Sequence, residues 1–338
     1  MRQPDPTNKR LSIEDVAKRA GVSITTVSRV INKIPTVSLK NKQKVEEAIK
    51  ELKFKPSLLA QRLAKGANNA IGLIIPRYEN IFYSFSILEI IRGIGFVCDN
   101  LKLDLLLHIT DGRTFIDPSS VGGVIFVDII GNRTQLEQIL KEGIPAIVIN
   151  NFVEDLPVSC LAVDNENGAK EAVNYLIGLG HKKIAHITGD LATQSAAKRF
   201  DGYKKSLEEN KISFREDYVI RCDYSRGKAR FATEQILGLA DRPTAIFVAS
   251  DSMALESMTV IIEKGLKVPD NISLVGFDDN PSGLYGAVAL TTVKQPLQEI
   301  GKEAVKELDL FMRGEKKQIE KKILPTQLIV RDSCKEIK

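Results

Sequence analysis

Ile24, Thr25, Thr26, Ser28 and Arg29 lie within six residues of one another near the start of the chain. Thr, Ser and Arg side chains can bond to base edges and phosphates, and an α-helix fits the DNA major groove. That chemistry needs a helix that turns these residues outward. Val27, Val30 and Ile31 supply its opposite face, which would pack on a preceding helix. Farther along, the paired acids Asp278 and Asp279 could in principle do acid/base work. No P-loop, G-x-S-x-G elbow or dinucleotide fingerprint accompanies them, and no Ser, His and acid cluster stands out. Ligand binding and helix capping account for the two acids, so no enzymatic activity is assigned.

The elements that would position the polar face are legible over Ser12–Ile31. Ser12 is a good N-cap, and Asp15 three residues on makes a variant of the capping box. Ile13, Val16, Ala17 and Ala20 share one helical face. Gly21 supplies the turn, because glycine enters left-handed backbone space without a steric cost. Ser23 caps the second helix. Ser38 can cap a third helix over Ser38–Lys53, where Val45, Ala48, Ile49 and Leu52 keep helical spacing and Phe54 packs beneath. An ordinary helical hairpin inside a larger core would share these features.

Charge argues against that plainer reading. The first 66 residues carry 15 Lys/Arg and 6 Asp/Glu, against a whole-chain net charge of +5, so the remaining 272 residues sum to −4. A basic head on a mildly acidic body fits a polyanionic partner for the head alone. The rest of the composition describes a folded protein of 338 residues, with 43% hydrophobic and 27% charged residues. No apolar run approaches the roughly 20 residues of a membrane span, and the polar N-terminus has no signal-peptide core, so a cytoplasmic protein is expected. Cys98, Cys160, Cys222 and Cys334 lie far apart, as buried cytosolic thiols would. Three scattered histidines make no convincing zinc site, and no metal is expected.

Pro56 marks a boundary. Beyond it, Ser57–Ala64 could form two helical turns, marginal in water without a partner surface. Its leucines could wedge between base steps in the minor groove, or dock on the next domain. From Ala70 the period changes. Apolar runs at Ile71–Ile75, Leu103–Ile109, Val124–Val127 and Ala146–Ile149 alternate with helical patterns at Phe85–Leu101 and Arg133–Glu142. The same grammar repeats from Cys160 to Phe277, giving two α/β units in tandem with parallel sheets. A helix at Leu297–Met312 and strands at Ile319–Leu324 and Gln327–Arg331 follow.

These segments carry a family likeness. The head S-I-E-D-V-A-K-R-A-G-V-S-x-x-T-V-S-R-V-I-N resembles the lac repressor family of bacterial transcription regulators. So do P-S-L-L-A-Q-R-L-A, A-I-G-L-I-I-P, D-N-E-N-G-A, G-H-K-K-I-A-H-I, S-D-S-M-A-L, I-S-L-V-G-F-D-D and L-T-T-V-K-Q-P-L, in the family's order over nearly the whole chain. The resemblance implies an α/β fold with an all-α helix-turn-helix head and a two-lobed body like periplasmic sugar-binding proteins. Residues 1–55 would form the DNA-binding domain, 56–69 the hinge helix and linker, and 70–338 the ligand-binding body. Its lobes would comprise about 70–161 plus 291–321, and 162–290 plus 322–338, joined by three crossovers.

The resemblance also implies roles. Ile24, Thr25 and Arg29 fall at base-reading positions, and Ser12, Ser23, Thr26, Asn32, Ser38 and Asn41 at phosphate-contacting ones. Leu63, with Ala60 one turn earlier, falls where the hinge helix enters the minor groove. Arg199 and Asp278 match the family's pair for ligand hydroxyls, and Tyr224 a stacking position. Asn150, Ser250, Asp251 and Gln295 line the same cleft, with Phe82 and Tyr83 added from the first lobe. Asp251 could equally cap the helix that follows it. The chain departs from the pattern at Asn80-Ile81-Phe82-Tyr83, where the family has N-P-F-F or N-P-F-Y. It departs again at Ser57, where the family has Asn, and after His108, where a crossover helix is shortened or lost. The implied function is a ligand-responsive transcriptional regulator, usually a repressor. It would bind a pseudo-palindromic DNA operator as a homodimer and a small effector, a sugar or sugar derivative, in the cleft. No cofactor is implied. The alternative is a cytosolic sugar-binding module without gene regulation, which explains the body but not the basic head.

Overall fold

The computed structural model describes residues 12–31, 34, 36–52, 54, 69–77 and 81–337, and divides into two compact units, residues 1–69 and 70–338. The expected hinge, with Ala60 and Leu63, and the phosphate-contacting Asn32 lie outside the described residues.

In the first unit, α1 (Ile13–Ala20) opens on a reciprocal capping box. The Asp15 amide donates to Ser12 Oγ at 3.3 Å, and the Ser12 amide donates to Asp15 Oδ2 at 2.8 Å. Gly21 ends the helix at φ +65°, and α2 (Ile24–Ile31) begins three residues later. The Thr26 amide donates to Ser23 Oγ at 3.2 Å, capping α2 as expected. Ser38 caps α3 (Leu39–Glu51) by accepting from the Asn41 amide. Val16, Ala17, Ala20, Val27, Val45 and Ala48 form the buried centre, with Ile49, Leu52 and Phe54 packed against it. A core this small is sufficient because all three helices share it.

The second unit holds two parallel sheets. The first takes β1 (Ala70–Pro76), β2 (Asp104–Thr110), β3 (Gly123–Val127), β4 (Ala146–Ile149), β5 (Ser159–Val163) and β11 (Lys321–Leu324), in the order β11-β5-β4-β3-β1-β2. The second takes β6 (Ile184–Ile187), β7 (Val219–Ile220), β8 (Ala245–Val248) and β9 (Ser273–Val275), in the order β7-β6-β8-β9. Strands β3, β4, β5, β6 and β8 are buried at every position, which is why β3, β4 and β8 read as unbroken apolar runs and β5 and β6 are broken only by the buried Ser159 and His186.

Helices cover both faces of both sheets. On the first sheet, α4 (Phe85–Leu101) and α10 (Leu297–Met312) bury Ile90, Ile94, Ile300 and Leu308 against Ile71, Leu73 and Ile75. α5 (Arg133–Lys141) covers the other face through Leu136 and Ile139. On the second sheet, α8 (Arg226–Leu237) and α9 (Asp251–Glu263) lie on one side, and α6 (Asn165–Gly178) and α7 (Gln194–Glu209) on the other.

One expectation needs adjusting. The lobe boundaries at 161 and 321 cut through strands that belong whole to the first sheet. β11 pairs with β5 in parallel register from Lys321↔Cys160 to Leu324↔Val163, so the crossings follow Val163 and Leu324. Beyond them, β12 (Gln327–Ile329) pairs antiparallel with β10 (Thr292–Lys294). Between β2 and β3, as expected of a crossover helix shortened or lost, the chain makes a single 3-10 turn, Pro118–Ser120. Ile116 and Val121 from this segment are buried in its place beneath the sheet, and His108 Nε2 holds the loop through the Thr114 carbonyl at 3.0 Å. All four cysteines are free thiols, three of them buried. Among the described residues, no helix is long and apolar enough to cross a membrane.

Candidate functional site: an exposed helix face and a strand-end cleft

On the head, α2 buries Val27 and leaves Ile24, Thr25 and Arg29 exposed. Capping divides the remaining hydroxyls. Ser12 and Ser38 are N-caps, their oxygens engaged with backbone amides, and Ser23 Oγ also meets Thr26 Oγ1 at 2.9 Å. Ser23 and Ser38 are nonetheless exposed, and Asn41 is half-buried at the start of α3. The arrangement can present α2 to a groove while short hydroxyl side chains and helix N-termini meet phosphates on either side.

In the body, the carboxyl ends of both sheets converge, where open α/β sheets bind ligands. The backbone marks the place. Asp128 (φ +61°), Asn150 (φ +67°), Tyr224 (φ +68°), Asp278 (φ +134°) and Asp279 (φ +59°) are non-glycine residues at positive φ, each at or just past a strand terminus. Such conformations cost about 1–3 kcal/mol each and cluster where side chains must be aimed.

Arg199 on α7 is buried, its guanidinium lying 3.8 Å over the Phe277 ring. Its Nε donates to Asn165 Oδ1 at 2.8 Å and its Nη1 to the Ala249 carbonyl at 2.5 Å, leaving Nη2 and one Nη1 hydrogen for a ligand. Asp278 follows β9 and accepts from Gln295 Nε2 at 2.6 Å. Burial pushes its carboxyl up and the Arg199 charge pulls it back down. The Tyr224 ring covers the backbone of Gly189, where a Cβ would stand 2.2 Å from it. Two hollows border this group, the larger through Asn150 and the smaller through Asp278 and Gln295; Arg199, Asp128 and Tyr224 line neither. One, of about 620 Å³, is lined by Asn150, Phe152, Asn165, Gln194 and Lys198 among others. The other, of about 390 Å³, is lined by Phe85, Arg92, Asp278, Lys294 and Gln295 among others.

Three expected contacts fall elsewhere. Asp251 is fully buried, and both its carboxylate oxygens are engaged within the protein, accepting from Thr292 Oγ1 at 2.5 Å and the Asn280 amide at 2.7 Å. Burial and the neighbouring Asp278 charge raise its carboxyl. It braces the loop that carries Asp278 and lies beneath the cleft; the N-cap of α9 is Ser250, whose Oγ accepts from the Met253 amide. Phe82 and Tyr83 are 61% and 84% exposed, because their short 3-10 turn directs Ile81 inward instead.

Two residues that sequence reasoning missed complete the cleft. Asp128, at the end of β3, is bonded by Asn150 and faces Arg199; burial dominates and holds its carboxyl up at about 6. An acid directly after an all-apolar parallel strand was the available signal. Gln194, the first residue of α7, bridges the two sheets. The Phe152 amide donates to its Oε1 at 2.7 Å, and its Nε2 donates to the Phe152 carbonyl at 3.3 Å.

Comparison with known proteins covers both units. Residues 12–57 match the bacterial regulatory proteins of the lacI family, and residues 173–334 match a periplasmic binding protein-like domain. The chain is 34% identical over 337 residues to the HTH-type transcriptional regulator DegA of Bacillus subtilis (strain 168), covering 96% of this chain and 98% of that one. It is 33% identical to catabolite control protein A of Priestia megaterium, covering 96% and 99%. Among solved structures, the lac repressor dimer bound to operator and the anti-inducer ONPF superposes with a TM-score of 0.82 at 30% identity, covering 97% of this chain and all of that one. A complex of the transcriptional regulator CelR with cellobiose superposes with a TM-score of 0.73 at 27% identity, covering 96% and 100%.

Proposed function

The chain belongs to the lacI family of bacterial regulatory proteins, and from that premise we propose that it represses transcription by binding a pseudo-palindromic operator as a homodimer, under control of a sugar-like effector held in the body's cleft. The observation that carries this reading is the presence, in one chain, of the exposed Thr25 and Arg29 face on α2 and the convergence of Arg199, Asp128 and Asp278 at the strand ends. The first can read a groove; the second can hold hydroxyls. Ile24, Thr25 and Arg29 read base edges in this reading, while Ser23, Thr26, Ser38 and Asn41 set the register on phosphates. Leu63 and Ala60, outside the described residues, are assigned to the minor groove in this reading.

In the cleft, Arg199 Nη2 and the Asp278 carboxylate bond vicinal hydroxyls, Asn150 and Gln295 orient them, and Tyr224 stacks on the ring. The cleft binds without turnover. Its ligand acts by changing the preferred arrangement of the two lobes, and coupling of this kind is reciprocal. An effector that weakens operator binding is itself bound less tightly by the operator complex, by the same factor.

The test begins with selection of the preferred operator from random DNA, followed by titration with and without a panel of sugars. The expected result is a two-fold-related consensus, with an affinity that one sugar class changes. That sugar should also raise the melting temperature of the wild type but not of Arg199→Ala. Binding that shows no sequence preference would refute the regulator. Operator binding that no sugar alters, together with a flat thermal screen, would leave the head's role standing and refute the cleft's.

A further inference from the structure

Resting on that reading of the cleft, we infer that its effector is an uncharged, hydroxyl-rich molecule, and that the cleft rejects the phosphate ester or carboxylate of the same sugar. The argument is a charge balance at the strand ends. Asp128 and Asp278 both feel the charge of Arg199, so two acids share one cation at the strand ends. Arg199 already spends its Nε on Asn165 and one Nη1 hydrogen on the Ala249 carbonyl, which removes the side-on fork of Nε and Nη2 that phosphate and carboxylate recognition can use.

The two bordering hollows add no excess of cations to compensate. In the larger hollow, Lys198 and Lys205 both pair with Glu166, and Lys170 pairs with Glu209. Four acids line that hollow against three lysines, and four line the smaller one against two basic residues. In the smaller one, Arg92 pairs with Glu89, and Lys294 is exposed at the outer edge.

The free hydrogen-bonding capacity points the same way. Asn150 bonds Asp128, and its own Oδ1 is shut off from solvent with no protein partner. An acceptor in that position asks for a donor. Hydroxyl groups supply donors to Asn150, Asp128 and Asp278 and an acceptor to Arg199. A phosphate or carboxylate supplies only acceptors, and would bring a further negative charge within a few ångströms of two others.

Matched pairs test this with the full-length protein at pH 7.5: glucose and glucose 6-phosphate, galactose and galacturonate, ribose and ribose 5-phosphate, with methyl glycosides as neutral controls for size. Affinities would be measured by calorimetry after a thermal-shift screen. For the parent sugar that binds, the anionic partner should bind at least about tenfold more weakly, while the methyl glycoside falls by less. Asp128→Asn preserves shape and removes a charge, and should narrow the gap between parent and anion by about tenfold or more. The wild-type ratio stands as a test even if the variant misfolds. An anionic partner that binds as tightly as its parent overturns the inference and leaves the sensor reading intact. A panel in which nothing binds overturns both.

Discussion

Gln194 ties α7, on the second sheet, to the loop that follows β4 on the first. Replacing it with alanine removes both bonds, the 2.7 Å one from the Phe152 amide and the 3.3 Å one to the Phe152 carbonyl. Each such bond contributes about 0.5–1.5 kcal/mol net, and the longer belongs at the low end, so the pair is worth about 1–2 kcal/mol. Thr193, not Gln194, caps α7, so the helix itself should be untouched. Groups on separate lobes can meet only when the lobes are together. The loss therefore falls on the balance between open and closed arrangements, shifting it by roughly 5- to 30-fold toward open. An effector that needs the closed arrangement should lose up to that factor in affinity. Gln194→Glu keeps an acceptor for the Phe152 amide and should fall between wild type and alanine. Solution scattering would read the opening, and calorimetry the affinity. An unchanged scattering profile together with unchanged affinity in Gln194→Ala would show that the two bonds do not hold the lobes.

Other perturbations separate the remaining roles. Arg29→Ala should relax base preference at one position of each half-site, a discrimination of about 1–3 kcal/mol, when the operator is reselected from random DNA; an unchanged consensus would make Arg29 a phosphate contact. Asp128→Asn tests burial by its pH dependence. A carboxyl held at about 6, against an unfolded value near 4, contributes its full stability below pH 4 and loses it as pH rises through 6. Relative to wild type, the neutral variant should gain up to about 3 kcal/mol at pH 8 and nothing near pH 4, by urea unfolding at each pH. An equal difference at both ends would mean that the Asp128 charge is not buried at a cost.

The head was legible because its signals are local. The Ser12 and Asp15 cap, the Gly21 turn and the apolar faces of α1 and α2 all act within a few residues. The strands were legible because two-sided burial forces continuous apolar runs. What escaped depends on partners distant in the chain. Asp251 looks like any acid at a helix start, until Asn280 and Thr292, 29 and 41 residues away, turn its carboxylate inward. Gln194 and Asp128 acquire their places only when Phe152 and Arg199 arrive from other elements. The lobe boundaries slipped for the same reason: the pairing of β11 with β5 joins residues about 160 apart in the chain.

That pairing sets an order of events during synthesis. The head closes its three-helix core once Phe54 has emerged. The six-stranded sheet, by contrast, lacks its α10 cover until Met312 and its last strand until Leu324. At 5–20 residues per second, roughly 15–50 s separate the two. For that interval each nascent chain carries a finished DNA-binding head ahead of an unfinished sensor. A ribosome that stalls before β11 would release a protein able to fold the first but not the second.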